Sequence, residues 1–281
     1  MRNCSSADGG YTGVVDAVLG QDGLVRLYTS GSQRVLGAWP DRRGAWWLWA
    51  VGQTPGLKGG DRQRLRVTVG AGARGVWQPV AAEQVLPGAG RWAASTVDLR
   101  VAPGGRFLWA ARPTIPHRGA RLRRRVRVRA AEDAWVALEE WATAGRIGMG
   151  ERWDDVAWDW VTDVAWGGRR WRERVRGADS AAADGAEAVW SLWLVASPEL
   201  AGELAGRVTA TADVYAACVP LAPGVALARA LGAAPAVAGL ADAVRAWLAL
   251  AMLGDPGTRR AVRPGGPLGP TAGDLEVETR P

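Results

Sequence analysis

"RLRVTVGAGARGVW", residues 64–77, and "DLRVAPGGRFLW", residues 98–109, are two versions of one unit. At a spacing of about 32 residues, Leu65, Val67 and Val69 fall on Val97, Leu99 and Val101, and Gly72, Arg74 and Trp77 fall on Gly104, Arg106 and Trp109. Each copy alternates apolar and polar residues, passes a glycine-rich turn and resumes as a second apolar run, which reads as a β-hairpin. A looser third copy, "RRVRVRAAEDAWVALEEW", follows at 124–141. Units of this length cannot bury an apolar face alone and stack to share a core. The expectation is a mainly β fold of stacked β-hairpins, β-helix-like or sandwich-like, with helices toward the C-terminus.

Outward from the repeat, alternation continues. In "DVAWDWV" (155–161) it sets Val156, Trp158 and Trp160 against Asp155 and Asp159. In "RRWRERVRG" (169–177) it puts a carboxylate, Glu173, on the same face as Trp171 and Val175. "GLVRLYTS" and "AWWLWAVG" also read as strands. After about residue 180 a strand (189–196) precedes a helix opened by Ser197 with Pro198 at its first position. "GLADAVRAWLALAMLG" (239–254) is a second helix, apolar on nearly every side except for Asp242 and Arg245, so it is buried or docks on a partner. That makes Trp247, Leu248 and Met252 candidates for partner binding. The domain is expected to run over residues 1–263, with a disordered tail at 264–281.

The totals narrow the class. The chain has 281 residues, and its 48% hydrophobic and 22% charged content suits an ordinary globular core. Cys4 and Cys218 offer neither a disulfide framework nor a cysteine zinc site, which points to a reducing cytoplasm. The start lacks the basic and apolar regions of a secretory signal. The apolar helix falls short of the ~20 residues that span a bilayer, so no membrane partner is expected. The net charge is +7, with Lys58 the only lysine among 35 basic residues. GC-rich codon usage produces such an excess of arginine. Nucleic-acid binding is not expected, because the arginines alternate with apolar residues instead of clustering with turn-borne aromatics.

The search for catalytic chemistry returns little. "ATAGRIGMGERW" (142–153) has the glycines of a phosphate loop but no Gly-Lys-Ser/Thr, and no Ser or Cys nucleophile between them. Its glycines fit a tight connection between strands. His117 is the only histidine, which excludes multi-histidine metal sites and most triads. Glu139, Glu140, Asp154 and Asp155 supply carboxylates for a glycosidase-like pair, but adjacent residues on a strand face opposite ways.

Four ordered blocks resemble the urease accessory proteins of the UreD (UreH) family, over roughly residues 20–263. "TPGLKGGD" (54–61) and the strand after it resemble the family's Pro-Gly-Gly…Gly-Gly-Asp turn. "RPTIPHRGARLRRRVRV" (112–128) resembles its Pro-x-Pro-x-Ile-x-Phe segment, and "LEEWATAGRIGMGERW" (138–153) its acidic strand running into Gly-Arg-x-x-x-Gly-Glu. "AACVPLAPGVALARALG" (216–232), with the helix that follows, resembles its C-terminal strand and helix. By this resemblance the chain would be a divergent member: Ala82 and Glu83 stand where the family has Ser/Thr and Lys, and His117 stands where it has an aromatic.

The resemblance implies a mainly β, non-enzymatic scaffold for urease maturation. Its implied partners are UreF-type and UreG-type accessory proteins and the urease apoprotein. No cofactor would be tightly bound, and nickel would be in transit. By position, Asp61, Glu140 and Glu173 match the family's candidate acids along an internal metal passage. Gly60, Gly145, Arg146, Gly150 and Glu151 match its structural turns. Sparse carboxylates would hold nickel weakly enough to release it, whereas a closed Cys/His cage would trap it. Two further readings remain: a tryptophan-rich carbohydrate-binding or hydrolytic protein, which requires a row of exposed Trp among the 17 in the chain, and an arginine-rich nucleic-acid binder.

Overall fold

The structure, a computed structural model, describes residues 10–177 and 185–253. The tail expected to be disordered lies outside the described residues.

Strands β1 (Thr12–Gly20), β2 (Gly23–Ser30) and β3 (Gln33–Pro40) lead into a coil of three strands per circuit. The first circuit is β4 (Trp46–Gly52), β5 (Leu57–Lys58) and β6 (Arg62–Val69). The next is β7 (Arg74–Pro79), β8 (Glu83–Leu86) and β9 (Ala93–Val101). The third is β10 (Arg106–Trp109), β11 (Thr114–Pro116) and β12 (Arg121–Ala130). Successive circuits stack in parallel: β6, β9 and β12 in one sheet, β4, β7 and β10 in a second, and β5, β8 and β11 in a short third ladder.

β13 (Trp135–Thr143), β14 (Ala157–Trp166), β15 (Arg169–Gly177), β16 (Ala188–Val195), β17 (Val214–Ala222) and β18 (Val225–Gly232) complete the sheets. The first sheet has seven strands in the order β15-β14-β12-β9-β6-β1-β2, and the second runs β17-β18-β16-β13-β10-β7-β4-β3. The two helices are α1 (Pro198–Ala205) and α2 (Ala234–Leu253).

The repeat alignment holds residue for residue: Leu65, Val67 and Val69 lie beside Val97, Leu99 and Val101, and Trp77 lies beside Trp109. The hairpin reading of each copy does not hold. The strands on either side of Gly72 and Gly104 go to different sheets, and the turn is a corner between them, with both glycines at φ +64. Alternation identifies the buried face of a strand but not its partner, and stacking in parallel lets the circuits share one interior. Antiparallel pairing is kept for the ends, as in β1 with β2 and β17 with β18.

The two sheets differ in burial. Every second residue of the first sheet faces the shared interior and the rest face outward, as in β6, where Gln63, Leu65, Val67 and Val69 are buried and Arg62, Arg64 and Arg66 are exposed. The second sheet is covered on both faces through its middle, so β13, "WVALEEWAT", is buried almost throughout. Its outer face carries α1 and α2, through Leu200, Leu204, Val237, Val244, Leu248 and Met252. The expected cap of α1 is present, with the Ser197 hydroxyl accepting from the Leu200 amide. α2 begins five residues before the expected Gly239, because the Glu187 carboxylate, distant in sequence, accepts from the Ala234 amide at 3.2 Å.

Candidate functional site

A cavity of about 360 Å³ lies between the sheets and the short ladder. Trp77 and Trp109 form part of its wall, but several inward positions are polar. The Ser95 hydroxyl donates to Gln63 Oε1 at 3.1 Å, and the two sit at equivalent repeat positions. Arg124, beside Ser95 in β12, reaches inward to pair with Glu83 and donates to Thr114 Oγ1 at 3.2 Å. Glu140 enters from β13, where its Oε2 accepts from the Thr162 hydroxyl at 2.6 Å. Its Oε1 and the Arg124 Nε–H are buried and have no hydrogen-bond partner among the described residues. Burial pushes the Glu140 carboxyl above the usual carboxylate range, against the Thr162 hydrogen bond and the charges of Arg124 and Arg229. A buried oxygen left unsatisfied beside a void is costly without a water or a cation.

The three acids assigned to a passage are not brought together in the cavity. Only Glu140 lines it. Asp61 is buried at a corner, where its carboxylate accepts from the Tyr11 amide at 2.8 Å and the Lys58 amide at 2.7 Å. Both oxygens thus stitch backbone segments together. Gly60 beside it has φ +98, and a Cβ there would strike the Arg91 guanidinium. Glu173 points inward from β15 but is paired with Arg229 and accepts from Trp193 Nε1 at 3.2 Å. Thr162 and Glu173 are register neighbours, so Glu140, Thr162 and Glu173 follow one another across the interior. Gln63, Ser95 and Arg124 escaped the sequence reading. Their signal was a polar residue at an inward repeat position, and in Arg124 a break in the alternation of "RRR".

The Gly-Arg turn closes on itself. Arg146 grips Glu151 through Nε at 3.1 Å and a terminal nitrogen at 2.5 Å. This fork holds the Glu151 carboxyl down to about 2, although its desolvation opposes the shift. Gly145 has φ +125, and a Cβ on it would press on the Pro116 carbonyl at 3.0 Å and on Glu151 Cβ at 3.1 Å. Gly150 ends a short 3-10 turn, Ile147–Met149, in the left-handed region. His117 lies nearby, with Nε2 2.5 Å from Gln84 Oε1, and its pKa is lowered first by burial and then by the Arg146 charge.

Glu139, Glu140's neighbour, faces the opposite way, as adjacent strand residues must. It is fully buried under α2, where Arg245 Nε contacts both its oxygens at 3.1 and 2.9 Å. Arg245 also pairs with Asp242 at 2.6 Å and donates to the Ala111 carbonyl, while Glu139 accepts from the Ala111 amide. Of the two charges that interrupt the helix in sequence, Arg245 is therefore its clamp on the sheet, braced by the exposed Asp242 one turn away. Leu248 and Met252 are wholly buried against the second sheet and out of a partner's reach in this conformation. Trp247 is half-buried, with the Arg207 guanidinium 4.7 Å above its ring. With its five added residues α2 reaches 20 and, contrary to the expectation that it falls short, is the one helix among the described residues long and apolar enough to cross a membrane, but one side of it is packed on the sheet.

No three His, Cys, Asp or Glu side chains converge among the described residues. Trp39 is the only exposed tryptophan among the described residues, so the row that carbohydrate binding requires is not formed there. A family model for the UreD urease accessory protein matches residues 12–264. The chain belongs to the UreD urease accessory protein family. It is 35% identical over 116 residues to urease accessory protein UreD 2 of a Synechococcus species, covering 38% of this chain and 42% of that protein. Urease accessory protein UreD 1 of a Bradyrhizobium species is 36% identical over 135 residues, 47% of this chain and 48% of that one. UreD of Deinococcus radiodurans is 30% identical over 148 residues, 52% of each. The chain thus spans about half the length of the curated UreD relatives it matches. In UreD terms, the cavity lies within the stacked circuits, and the Gly-Arg turn closes the corner between β13 and β14.

Proposed function

We propose that the chain is a non-catalytic scaffold of urease maturation, joining UreF-type and UreG-type accessory proteins on the urease apoprotein and supporting nickel delivery. The family match over residues 12–264 carries this reading. Co-purification of the chain with the urease apoprotein and a UreF-type protein tests it. Failure to form that complex, with urease activation unchanged in a deletion strain, overturns it.

Nickel is the cargo, and Glu140 is its proposed contact within the cavity. Supporting this are the buried Oε1, unsatisfied among the described residues, and the oxygen-bearing side chains of Gln63, Ser95 and Thr162 that share the interior with it. Glu140→Gln keeps the shape and removes the charge. Nickel incorporated into urease should fall severalfold in this variant while the complex still forms. The variant should also be at least as stable as the parent near neutral pH. A carboxyl raised by burial contributes most to stability below its ordinary value near 4.5, and that contribution is lost as the pH rises through the raised value. Unchanged nickel loading would return Glu140 to a structural role.

A further inference from the structure

We propose that the outer face of the seven-stranded sheet is a docking surface for an acidic protein, a reading that deepens the scaffold role. Alternation in "RQRLRVTV" (β6), "RLRRRVRVRA" (β12) and "RRWRERVRG" (β15) sends nearly every arginine of these strands to one side. Register then aligns them across the sheet. One row reads Arg64, Thr96, Arg125, Val161 and Arg174, and its neighbour reads Arg66, Asp98, Arg127, Asp163 and Arg172. Arginines recur about 6.6 Å apart along a strand, on strands about 4.8 Å apart. Both helices pack on the other sheet, so this grid faces outward.

The face is unbalanced in sign. Its aspartates are already engaged: Asp16 by Arg26 and Arg66, Asp98 by Arg127, Asp159 by Arg174 and Arg176, and Asp163 by Arg172. Arg62, Arg64, Arg125 and Arg129 are exposed and form no ion pair among the described residues. Codon bias accounts for arginine in place of lysine, but not for arginine in place of aspartate or glutamate at outward positions. An uncompensated array on a rigid sheet repels itself and is relieved by an acidic surface.

The pattern favours protein over nucleic acid. Fixed carboxylates between the guanidiniums oppose a continuous phosphate strand, and they select a partner whose charges form the complementary mosaic. No exposed tryptophan stands on the face to stack a base, and Trp92 already lies under Arg123 at 4.6 Å.

The test compares two variants of equal net charge. Arg64→Glu with Arg125→Glu alters the face, and Arg42→Glu with Arg43→Glu alters an exposed loop elsewhere. Poly-L-glutamate and a 20-base-pair DNA duplex are titrated into each full-length protein at physiological salt, after circular dichroism has shown native folding. Poly-L-glutamate binding should weaken at least tenfold in the face variant and change less than twofold in the loop variant. Arg64→Gln with Arg125→Gln should give an intermediate loss and serves in place of the reversal if that variant does not fold. Equal effects of the two reversals overturn the proposal. So does tighter binding of the duplex than of poly-L-glutamate, lost in the face variant, which assigns the face to nucleic acid. The urease apoprotein is then offered to the same proteins. Absence of any complex with the parent counts against the scaffold role, while the polyanion comparison still decides this face.

Discussion

The Arg146–Glu151 fork shows how one pair of residues sets the shape of a corner. Glu151 is buried and bound through both oxygens, so its charged form is stabilised in the folded chain alone. Its pKa of about 2 lies below the ordinary value of 4.5, which fixes the sign of its pH dependence. The contribution is complete above pH 4.5 and is lost as the pH falls toward 2. Because the arginine is partly exposed, Glu151→Gln should cost only about 1 kcal/mol at pH 7. Denaturant titrations of parent and variant should converge as the pH approaches 2. A constant gap down to that pH would mean that the side chain acts through shape rather than charge. The family motif made this pair visible in the sequence, but its pairing was not, because residues five apart across a turn meet only if the turn closes.

At the scale of elements, the docking of α2 rests on a buried ion pair, Glu139 with Arg245, set among mostly apolar contacts. Such a pair adds little over an apolar contact, but removing one partner strands a charge. Arg245→Met should therefore destabilise the chain by about 3–5 kcal/mol. Adding Glu139→Gln, which retains an acceptor for the Ala111 amide, should recover much of that loss. A double-mutant cycle by chemical denaturation measures the coupling, and additive losses would show that the clamp does not act as a pair. The helix itself was legible from its apolar run. Its sheet-facing side was not, because a segment apolar nearly all round carries little moment to orient it, and of its two charges Arg245 turns to the sheet while Asp242 stays exposed.

At the scale of the whole molecule, circuits are held by lateral neighbours one repeat apart. Trp77 and Trp109, equivalent in the repeat, stack with centroids 4.9 Å apart and planes 6° from parallel. Trp77 is almost fully buried in the middle of the coil, so Trp77→Ala should cost about 3–5 kcal/mol. It should also lower the midpoint of unfolding for all circuits together, since each unit depends on its neighbours. Separate transitions in far-ultraviolet circular dichroism and tryptophan fluorescence would refute that coupling. Local pattern by itself determined the longer repeat strands, their buried faces and which positions are equivalent, because period-2 alternation and a fixed repeat spacing are properties of the chain alone, but not the short strands β5, β8 and β11 of the third ladder. It also carried the family, whose motifs are linear. Only the tertiary structure decided that the repeat strands part into two sheets, that Glu139 and Glu140 serve opposite sides of one wall, and that scattered arginines form a single face. Those outcomes depend on which strand lies beside which, and a strand's partner is chosen by the burial of the whole coil rather than by anything within the strand.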